Sequence, residues 1–154
     1  MFMDSRNEFA DAVALNLGAA GSYLVGNVID TKPASISPNT TVDLEGSDLY
    51  LVIQVDTTVT SGGAGTAAFS LASDAQAAIA ADGSQSEHFR TKAFALAEMV
   101  AGAILACVKL PRGAYERYLG VVQTTAVAAL TGGKINAFLT SDPALWKAYA
   151  DNVG

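Results

Sequence analysis

The stretch DLYLVIQVD, residues 48–56, decides the fold class. Apolar side chains occupy every second position and share one face: Leu49, Leu51, Ile53 and Val55. The other face carries more polar residues: Tyr50, Gln54 and Asp56. A period of two with aliphatic and aromatic residues is typical of a β-strand that has one face in a core. The stretch therefore predicts a strand and favours a mostly β protein.

Two more stretches repeat this period. TAAFSLA, residues 66–72, predicts Ala67, Phe69 and Leu71 inward and Ser70 outward. KINAFLT, residues 134–140, predicts inward Ile135, Ala137 and Leu139. Glycine-rich turn signals such as SGGAG (61–65) and TGG (131–133) separate the strands. Several short strands joined by turns predict an antiparallel β-sandwich or barrel, and 154 residues suit a single domain, 1–154.

Three other segments have less regular patterns. YLVGNVID (23–30) and AILACVKL (103–110) are apolar on both faces, which predicts strands that are covered on both sides, either between two sheets or beneath a partner. EFADAVALNL (8–17) fits a strand, but Ser5 and Glu8 also have the spacing of a helix capping box. Residues 1–8 are expected to form a flexible arm.

Helix signals are few and short. SDAQAAIAADG (73–83) predicts a short helix that begins at a Ser or Asp cap and ends at Gly83. Asp142 and Pro143 have the types expected at the cap and first position of a C-terminal helix over 142–154. On that helix Trp146 and Tyr149 share one side, where they either pack on the domain or dock on a neighbour.

Composition excludes several classes of function. The net charge is −6 and the nine Lys and Arg residues are scattered, which argues against a nucleic-acid-binding protein. The most apolar stretch, 93–108, is interrupted by Glu98 and is shorter than a membrane span, so no membrane association is expected. The single Cys107 cannot form an internal disulfide and is expected to be a small buried side chain.

No set of residues predicts catalysis. His88 is the only histidine, no nucleophile motif accompanies it, and its pattern is that of a half-exposed strand residue. The carboxylates are dispersed and too few Cys and His residues are present for a zinc site. SGGAG lacks the Lys of a phosphate-binding loop. We therefore expect no enzyme activity, no cofactor and no metal.

The stretch PRGAYERYLGVVQTT, residues 111–125, combines aromatic, charged and apolar residues. As a strand it places Tyr115, Arg117, Leu119 and Val121 on one face, and Glu116, Tyr118 and Val122 on the other. One interpretation is a strand whose apolar half is core and whose polar start emerges at the sheet edge. The other is an interface, where Tyr and Arg are enriched. Side-chain type predicts six partner-interface residues: Phe2, Arg6, Tyr115, Arg117, Trp146 and Tyr149.

The order of several segments resembles a known family. They are DSRNEFADAVAL and NVID near the start, LYLVIQVDTTVTSGG and FSLASDAQAAI in the middle, and LPRGAYERYLGVVQTT and GGKINAFLT late in the chain. Their order and spacing resemble the capsid cement (decoration) proteins of tailed bacteriophages, above all the Bordetella phage cement protein family. The likeness extends from about residue 4 to residue 150 and implies a jelly-roll-like β-sandwich without catalytic residues.

The resemblance also implies a function. Such proteins sit on the outside of an icosahedral shell and clamp neighbouring major capsid protein subunits. The expected partners are therefore the major capsid protein and the chain itself, as a homodimer first and a trimer second. The expected location is the outer capsid surface of a virion, after synthesis in the host bacterial cytoplasm. The alternative function is a carbohydrate-binding β-sandwich module on a virion or cell surface.

Overall fold

A computed structural model describes residues 7–32 and 48–143 of the chain. These residues form nine strands and one 3-10 helix, Leu96–Glu98. The strands, in chain order, are β1 (Glu8–Ala14), β2 (Gly21–Asp30), β3 (Tyr50–Ser61), β4 (Thr66–Asp74), β5 (Ser86–Arg90), β6 (Phe94–Ala95), β7 (Ile104–Lys109), β8 (Tyr118–Ala126) and β9 (Leu130–Thr140). The protein is thus mostly β, as the period of two predicts.

The strands form two antiparallel sheets. The first sheet has the order β1-β9-β3-β7, and the second has the order β2-β8-β4-β5, with β6 paired to β4 beyond β5. Successive strands mostly alternate between the sheets, so that chain neighbours face each other across the interior. One apolar cluster draws its members from both sheets. The two sheets therefore pack face to face as a sandwich.

The core contains the residues that the period of two places inward. Leu51, Ile53 and Val55 of β3 are fully buried, as are Ala67, Phe69 and Leu71 of β4. From β9, Ile135, Ala137 and Leu139 join the same cluster. In β8, Leu119 and Val121 face the core, and Val122 faces the opposite side, as predicted. The inward faces of these four strands are therefore confirmed.

Strand β1 and strand β2 meet where the sandwich closes on one side. Residues 8–14 form a strand rather than a helix, and β1 pairs with β9. Gly26 of β2 has a φ of +69° and lies against β1. A Cβ atom on Gly26 would be 2.0 Å from the carbonyl oxygen of Phe9. Only glycine allows this close approach of the two backbones.

The predicted helix over 73–83 is wrong. Ser73 and Asp74 continue β4, where they pair with β8, and the chain then bends across the outer face of the second sheet. The Asp74 carboxylate accepts hydrogen bonds from the backbone N–H groups of Gln76 and Ala80, at 3.1 and 3.2 Å. Ile79 packs against Ala72 and Val122 in a second, smaller cluster. Ser70 faces outward as predicted and is nevertheless buried.

The two runs that are apolar on both faces are edge strands. β2 has apolar contacts on both faces, but its outer residues Leu24 and Val28 meet the 75–81 segment and not another sheet. β7 is exposed at Ile104 and Cys107, so no second sheet covers it and the expected burial of Cys107 is wrong, whereas covering by a partner stays a prediction. An edge strand keeps one side free of sheet neighbours, which the hydrophobic pattern alone does not reveal.

Two predicted segments fall mainly outside the described residues. Of the C-terminal helix over 142–154, only Asp142 and Pro143 are described, and they are not helical. Of the arm over 1–8, only Asn7 and Glu8 are described, and Glu8 begins β1. Within the described ranges, no helix is long and apolar enough to cross a membrane.

Candidate interaction site

Two of the six predicted interface residues lie in the described part of the chain. Tyr115 and Arg117 belong to the connection between β7 and β8, because β8 begins at Tyr118. The polar start of this stretch is therefore a loop and not a strand, contrary to the prediction. Its backbone makes single bonds to two distant segments: the Glu116 N–H donates to Ser73 Oγ at 3.0 Å, and the Arg117 carbonyl accepts from the Thr31 N–H at 2.9 Å. Phe2, Arg6, Trp146 and Tyr149 lie outside the described residues.

Tyr115 holds the β7–β8 loop against the core. Its half-buried ring contacts the core cluster and stacks on the His88 ring, with 4.1 Å between centroids and a tilt of 31°. Its hydroxyl donates to the carbonyl oxygen of Pro111. Burial raises the pKa of Tyr115, so the hydroxyl keeps its proton for this bond. The described contacts of this tyrosine are within the chain.

His88 faces the interior because β5 is bulged. Leu71 pairs with Phe89 and Ala72 pairs with Glu87, so His88 has no cross-strand partner. Its Nε2 atom is 2.7 Å from Ser73 Oγ. Ser73 Oγ also accepts the Glu116 N–H, and the tautomer of the imidazole sets which atom donates in the Ser73–His88 bond. Burial lowers the pKa of His88, and the Glu116 charge opposes this shift.

The Ser73–His88 pair has the distance of a catalytic dyad but not its accessibility. Ser73 is fully buried, and its oxygen takes part in two hydrogen bonds. A nucleophile must reach a substrate carbonyl or phosphoryl group. This pair instead closes one end of the core with satisfied polar groups. The sequence signalled the position of Ser73, which continues the inward-facing series Ala67, Phe69 and Leu71 of β4. Nothing in the sequence signalled the bulge that turns His88 inward.

Arg117 joins the start of β8 to the end of β2. Its Nε and one terminal nitrogen donate to the two carboxylate oxygens of Asp30, both at 3.0 Å. The guanidinium also lies 4.9 Å from the centre of the Tyr118 ring. This bidentate pair lowers the pKa of Asp30 and raises the pKa of Arg117. Both Arg117 and Tyr115 are thus engaged within the chain, and their role at an interface stays a prediction.

These residues lie at what we call the charged end of the sandwich, formed by the loops 75–85 and 110–117 and the adjoining strand ends. Here Lys109 pairs with Asp48 at 2.6 Å, and the hydroxyl of Ser86 donates to Glu116 at 2.6 Å. The described ranges also begin and end next to strand ends on this side, at Asn7, Lys32, Asp48 and Pro143.

At the opposite end, the connection 96–103 follows Ala95, which pairs with Thr66, and then runs beside β3. Three further loops at this end, 15–20, 62–65 and 127–129, form the surface that we call the apolar end. The strand pairings place them together: Gly21 is opposite Thr125, and Thr66 is opposite Ala126. The Ser61 hydroxyl donates to the carbonyl oxygen of Ala129 at 2.7 Å. No residue of these loops is charged, and all but Asn16 are Leu, Val, Ala or Gly. Sequence reasoning missed this surface, although the lack of charge in three separate turns was a visible signal.

Two large apolar side chains are exposed at the apolar end. Leu17 is 51% exposed and Val127 is 76% exposed. Val127 has a φ of +71°, which is rare for a β-branched residue. It is the central residue of a three-residue turn that is closed by a hydrogen bond of 2.9 Å from Ala128 N to Ala126 O.

Within residues 7–32 and 48–143, no three His, Cys, Asp or Glu residues are grouped so that they could hold a metal ion. The two ends of the sandwich thus offer contact surfaces of different chemistry, one charged and one apolar.

Comparison with protein families gives a match over most of the sandwich. Residues 9–139 match the model of the family described as Bbp16. No curated protein matches the chain. The chain belongs to the Bbp16 family, whose name indicates a protein of a Bordetella phage.

Proposed function

We propose that this Bbp16-family chain is a non-enzymatic structural protein of the virion. It binds the outer surface of an icosahedral phage capsid and clamps neighbouring major capsid protein subunits, so that the shell becomes harder to break. It is made in the cytoplasm of the host bacterium. It requires no cofactor and no metal.

The observation that carries this proposal is the family match. It begins at the second residue of β1 and ends one residue before the end of β9, and therefore spans the whole sandwich. A phage protein of this family agrees with the resemblance of the sequence to capsid cement proteins.

The strand order supports the proposed jelly roll. In a jelly roll, eight strands form two sheets through two Greek keys. With β5 and β6 taken as two parts of one interrupted strand beside β4, the sheets β1-β9-β3-β7 and β2-β8-β4-β5 have this arrangement. Jelly rolls occur in viral capsid and lectin domains.

Action by contact is further supported by the polar groups of the described residues. The serine of the Ser–His pair is fully buried, and Arg117 and Arg90 are bonded to Asp30 and Glu87. A single small domain makes a modest contact, because a standard interface buries roughly 800 Å² on each partner. A homodimer, or as a second choice a trimer, holds two or more capsid subunits at once, and such avidity increases apparent affinity by about 10²–10⁴.

The test uses shells that lack the protein. Purified chain is added to assembled shells and, separately, to free capsid subunits; occupancy is measured by co-sedimentation, and shell strength by the temperature or force of rupture. We expect saturable binding to shells, weak binding to free subunits, and a higher rupture threshold at saturation. Equal binding to free subunits, or saturated shells that break as easily as bare ones, contradicts the proposal.

A further inference from the structure

The outer face of the first sheet is buried at two apolar positions, which we call the outer patch. Val52 of β3 and Phe138 of β9 are paired across the strands, and each is 1% exposed. They alternate with residues of the core, so their side chains point away from the second sheet. The two apolar clusters formed by described residues contain neither of them. Because the open face of an antiparallel sheet is otherwise in contact with water, another part of the same chain lies over the outer patch.

The cover does not extend to the edge of the sheet. Cys107 of β7 pairs with Val52 and is exposed. Gln54, two residues further along β3, is covered in a different way, because its side-chain amide donates to the carbonyl oxygen of Gly102 at 3.4 Å. The connection that contains Gly102 continues beside residues 55–59, away from Val52. The segment that covers the outer patch therefore approaches from the charged end.

Strand β9 leads the chain to this position. Thr140 is the last residue of β9, faces the same side as Phe138, and is 6% exposed. The N–H of Asp142 donates to Thr140 Oγ1 at 3.2 Å, so the backbone turns toward the outer face as it leaves the strand. Phe138 is two residues before Thr140, which is roughly 7 Å along a strand. Residues 144–154 therefore start within reach of the outer patch.

Composition and origin favour residues 144–154 over the two other segments outside the described ranges. They carry Trp146 and Tyr149, and aromatic side chains of this kind bury about 150–250 Å² each. Residues 33–47 contain no aromatic residue and connect the second sheet to the first. Residues 1–6 contain one phenylalanine, but they lead into the edge strand β1, whereas the outer patch is on β9 and β3.

We infer that residues 144–154 return along the outer face of the first sheet and cover Val52 and Phe138, with Trp146 as the main contact. The occupant of the outer patch is the C-terminal segment of the same chain. This inference does not depend on the proposed function and is tested on the purified protein alone. Its consequence for that function is that the middle of this face is closed to a partner.

The chain contains both probes that the test needs. Trp146 is its only tryptophan, and Cys107 is its only cysteine. Cys107 is exposed and lies about 5 Å across the strands from Val52. Bimane attached to Cys107 is quenched by contact with a tryptophan, so its fluorescence reports whether Trp146 lies on this face. The matched control is Cys107→Ser combined with Val127→Cys, which moves the label to an exposed position at the opposite end of the sandwich.

We expect bimane on Cys107 to be dimmer in the otherwise unmodified chain than in Trp146→Phe, and bimane on the Val127→Cys control to be equally bright with and without Trp146. Deletion of residues 1–6 should leave the quenching at Cys107 unchanged. Thermal melting of each labelled variant verifies that it is folded. Equal brightness at Cys107 with and without Trp146 overturns the inference, and so does quenching that deletion of residues 1–6 abolishes.

Mixing separates the same chain from a second copy as the source of the cover. Labelled Trp146→Phe protein is mixed with an excess of unlabelled, unmodified protein, and we expect it to stay bright. Quenching that appears on mixing assigns the outer patch to the C-terminal segment of a second copy and overturns the inference. The emission of Trp146 in the unlabelled protein should also lie at shorter wavelength than in the urea-unfolded chain, because the indole is out of water. An unchanged emission maximum on unfolding contradicts the contact.

Discussion

The contact between β1 and β2 can be tested by adding one methyl group at Gly26. Gly26→Ala places a Cβ atom 2.0 Å from the Phe9 carbonyl oxygen, well inside van der Waals contact. The obstacle is backbone, and Phe9 is fully buried, so neither strand can move aside without disturbing the core. The φ of +69° adds a second penalty, because it is unfavourable for any residue with a Cβ.

Substitutions at two further glycines separate the conformational penalty of the positive φ from the steric clash. Gly83 also has a positive φ, +97°, but a Cβ there meets nothing within 4 Å. Gly83→Ala should therefore show the conformational penalty alone, about 1–2 kcal/mol. Gly62 has open space and no positive φ, so Gly62→Ala should change stability by less than about 0.5 kcal/mol. Gly26→Ala combines strain with overpacking of about 1–3 kcal/mol, which gives roughly 3 kcal/mol or more in total.

The assay is thermal and urea unfolding of the three variants beside the unmodified protein. For a chain of 154 residues, 3 kcal/mol corresponds to a fall in Tm of roughly 6–12 °C. The expected order of stability is Gly62→Ala, then Gly83→Ala, then Gly26→Ala. If Gly26→Ala is no less stable than Gly83→Ala, the close approach of β1 and β2 is refuted.

Three other predictions concern His88, Gln123 and Ile79. Burial lowers the pKa of His88, so between this lowered value and the ordinary 6.5 the unfolded chain binds more protons than the folded chain. The contribution of His88 to stability should therefore be fully present above pH 6.5 and fall as the pH is lowered below that value. His88→Gln removes the only histidine, so urea unfolding of this variant should show no such difference between pH 7.5 and pH 5.5. Gln123→Leu should destabilise by about 1–3 kcal/mol and accelerate amide exchange at Asn16, whose backbone loses both bonds to the side chain; unchanged exchange would contradict the role of Gln123. Ile79→Ala should destabilise by about 2 kcal/mol in urea unfolding, at the lower end for a buried Ile because a loop can partly collapse, and a loss below 0.5 kcal/mol would show that the 75–81 segment does not cover the sheet.

Local patterns were sufficient for the inward faces of the strands because alternation in a strand is a property of the backbone. β3 and β9 show this directly, since their alternating residues enter one core whatever their neighbours are. The same reasoning found Leu119 and Val121 in β8. It failed a few residues earlier, because the partners of the 111–117 stretch, Ser73 and Thr31, are distant in sequence.

The helix predicted over 73–83 failed for a related reason. Its capping residue, Asp74, does bind backbone N–H groups, but those of an irregular loop. What stabilises this loop is the contact of Ile79 with the outer face of the second sheet. Gly120 makes this possible, because a Cβ there would lie 2.6 Å from Ile79 Cδ1. Neither the sheet nor the lack of a side chain at Gly120 can be inferred from the sequence of residues 73–83 alone.

The candidate site was the least predictable part of the molecule. By residue type, Arg117 and Tyr115 indicated an interface. In the folded chain, however, Arg117 bonds to Asp30 and the ring of Tyr115 stacks on His88. Both partners come from other strands, and pairing of this kind depends on register. The apolar end depends on register as well, since it assembles three turns that are far apart in the sequence.

The different chemistry of the two ends has an energetic consequence for docking. At the charged end, a partner must compete with ion pairs that are already formed, such as Arg117 with Asp30 and Lys109 with Asp48. Breaking one side of such a pair leaves a charge to be desolvated or paired again. At the apolar end, binding removes water from Leu17 and Val127 and breaks no ion pair of the loops, since these contain no charged group. At this end, burial of apolar surface is favourable and has no opposing electrostatic cost. A small contact there therefore contributes more binding free energy per unit area than one at the charged end.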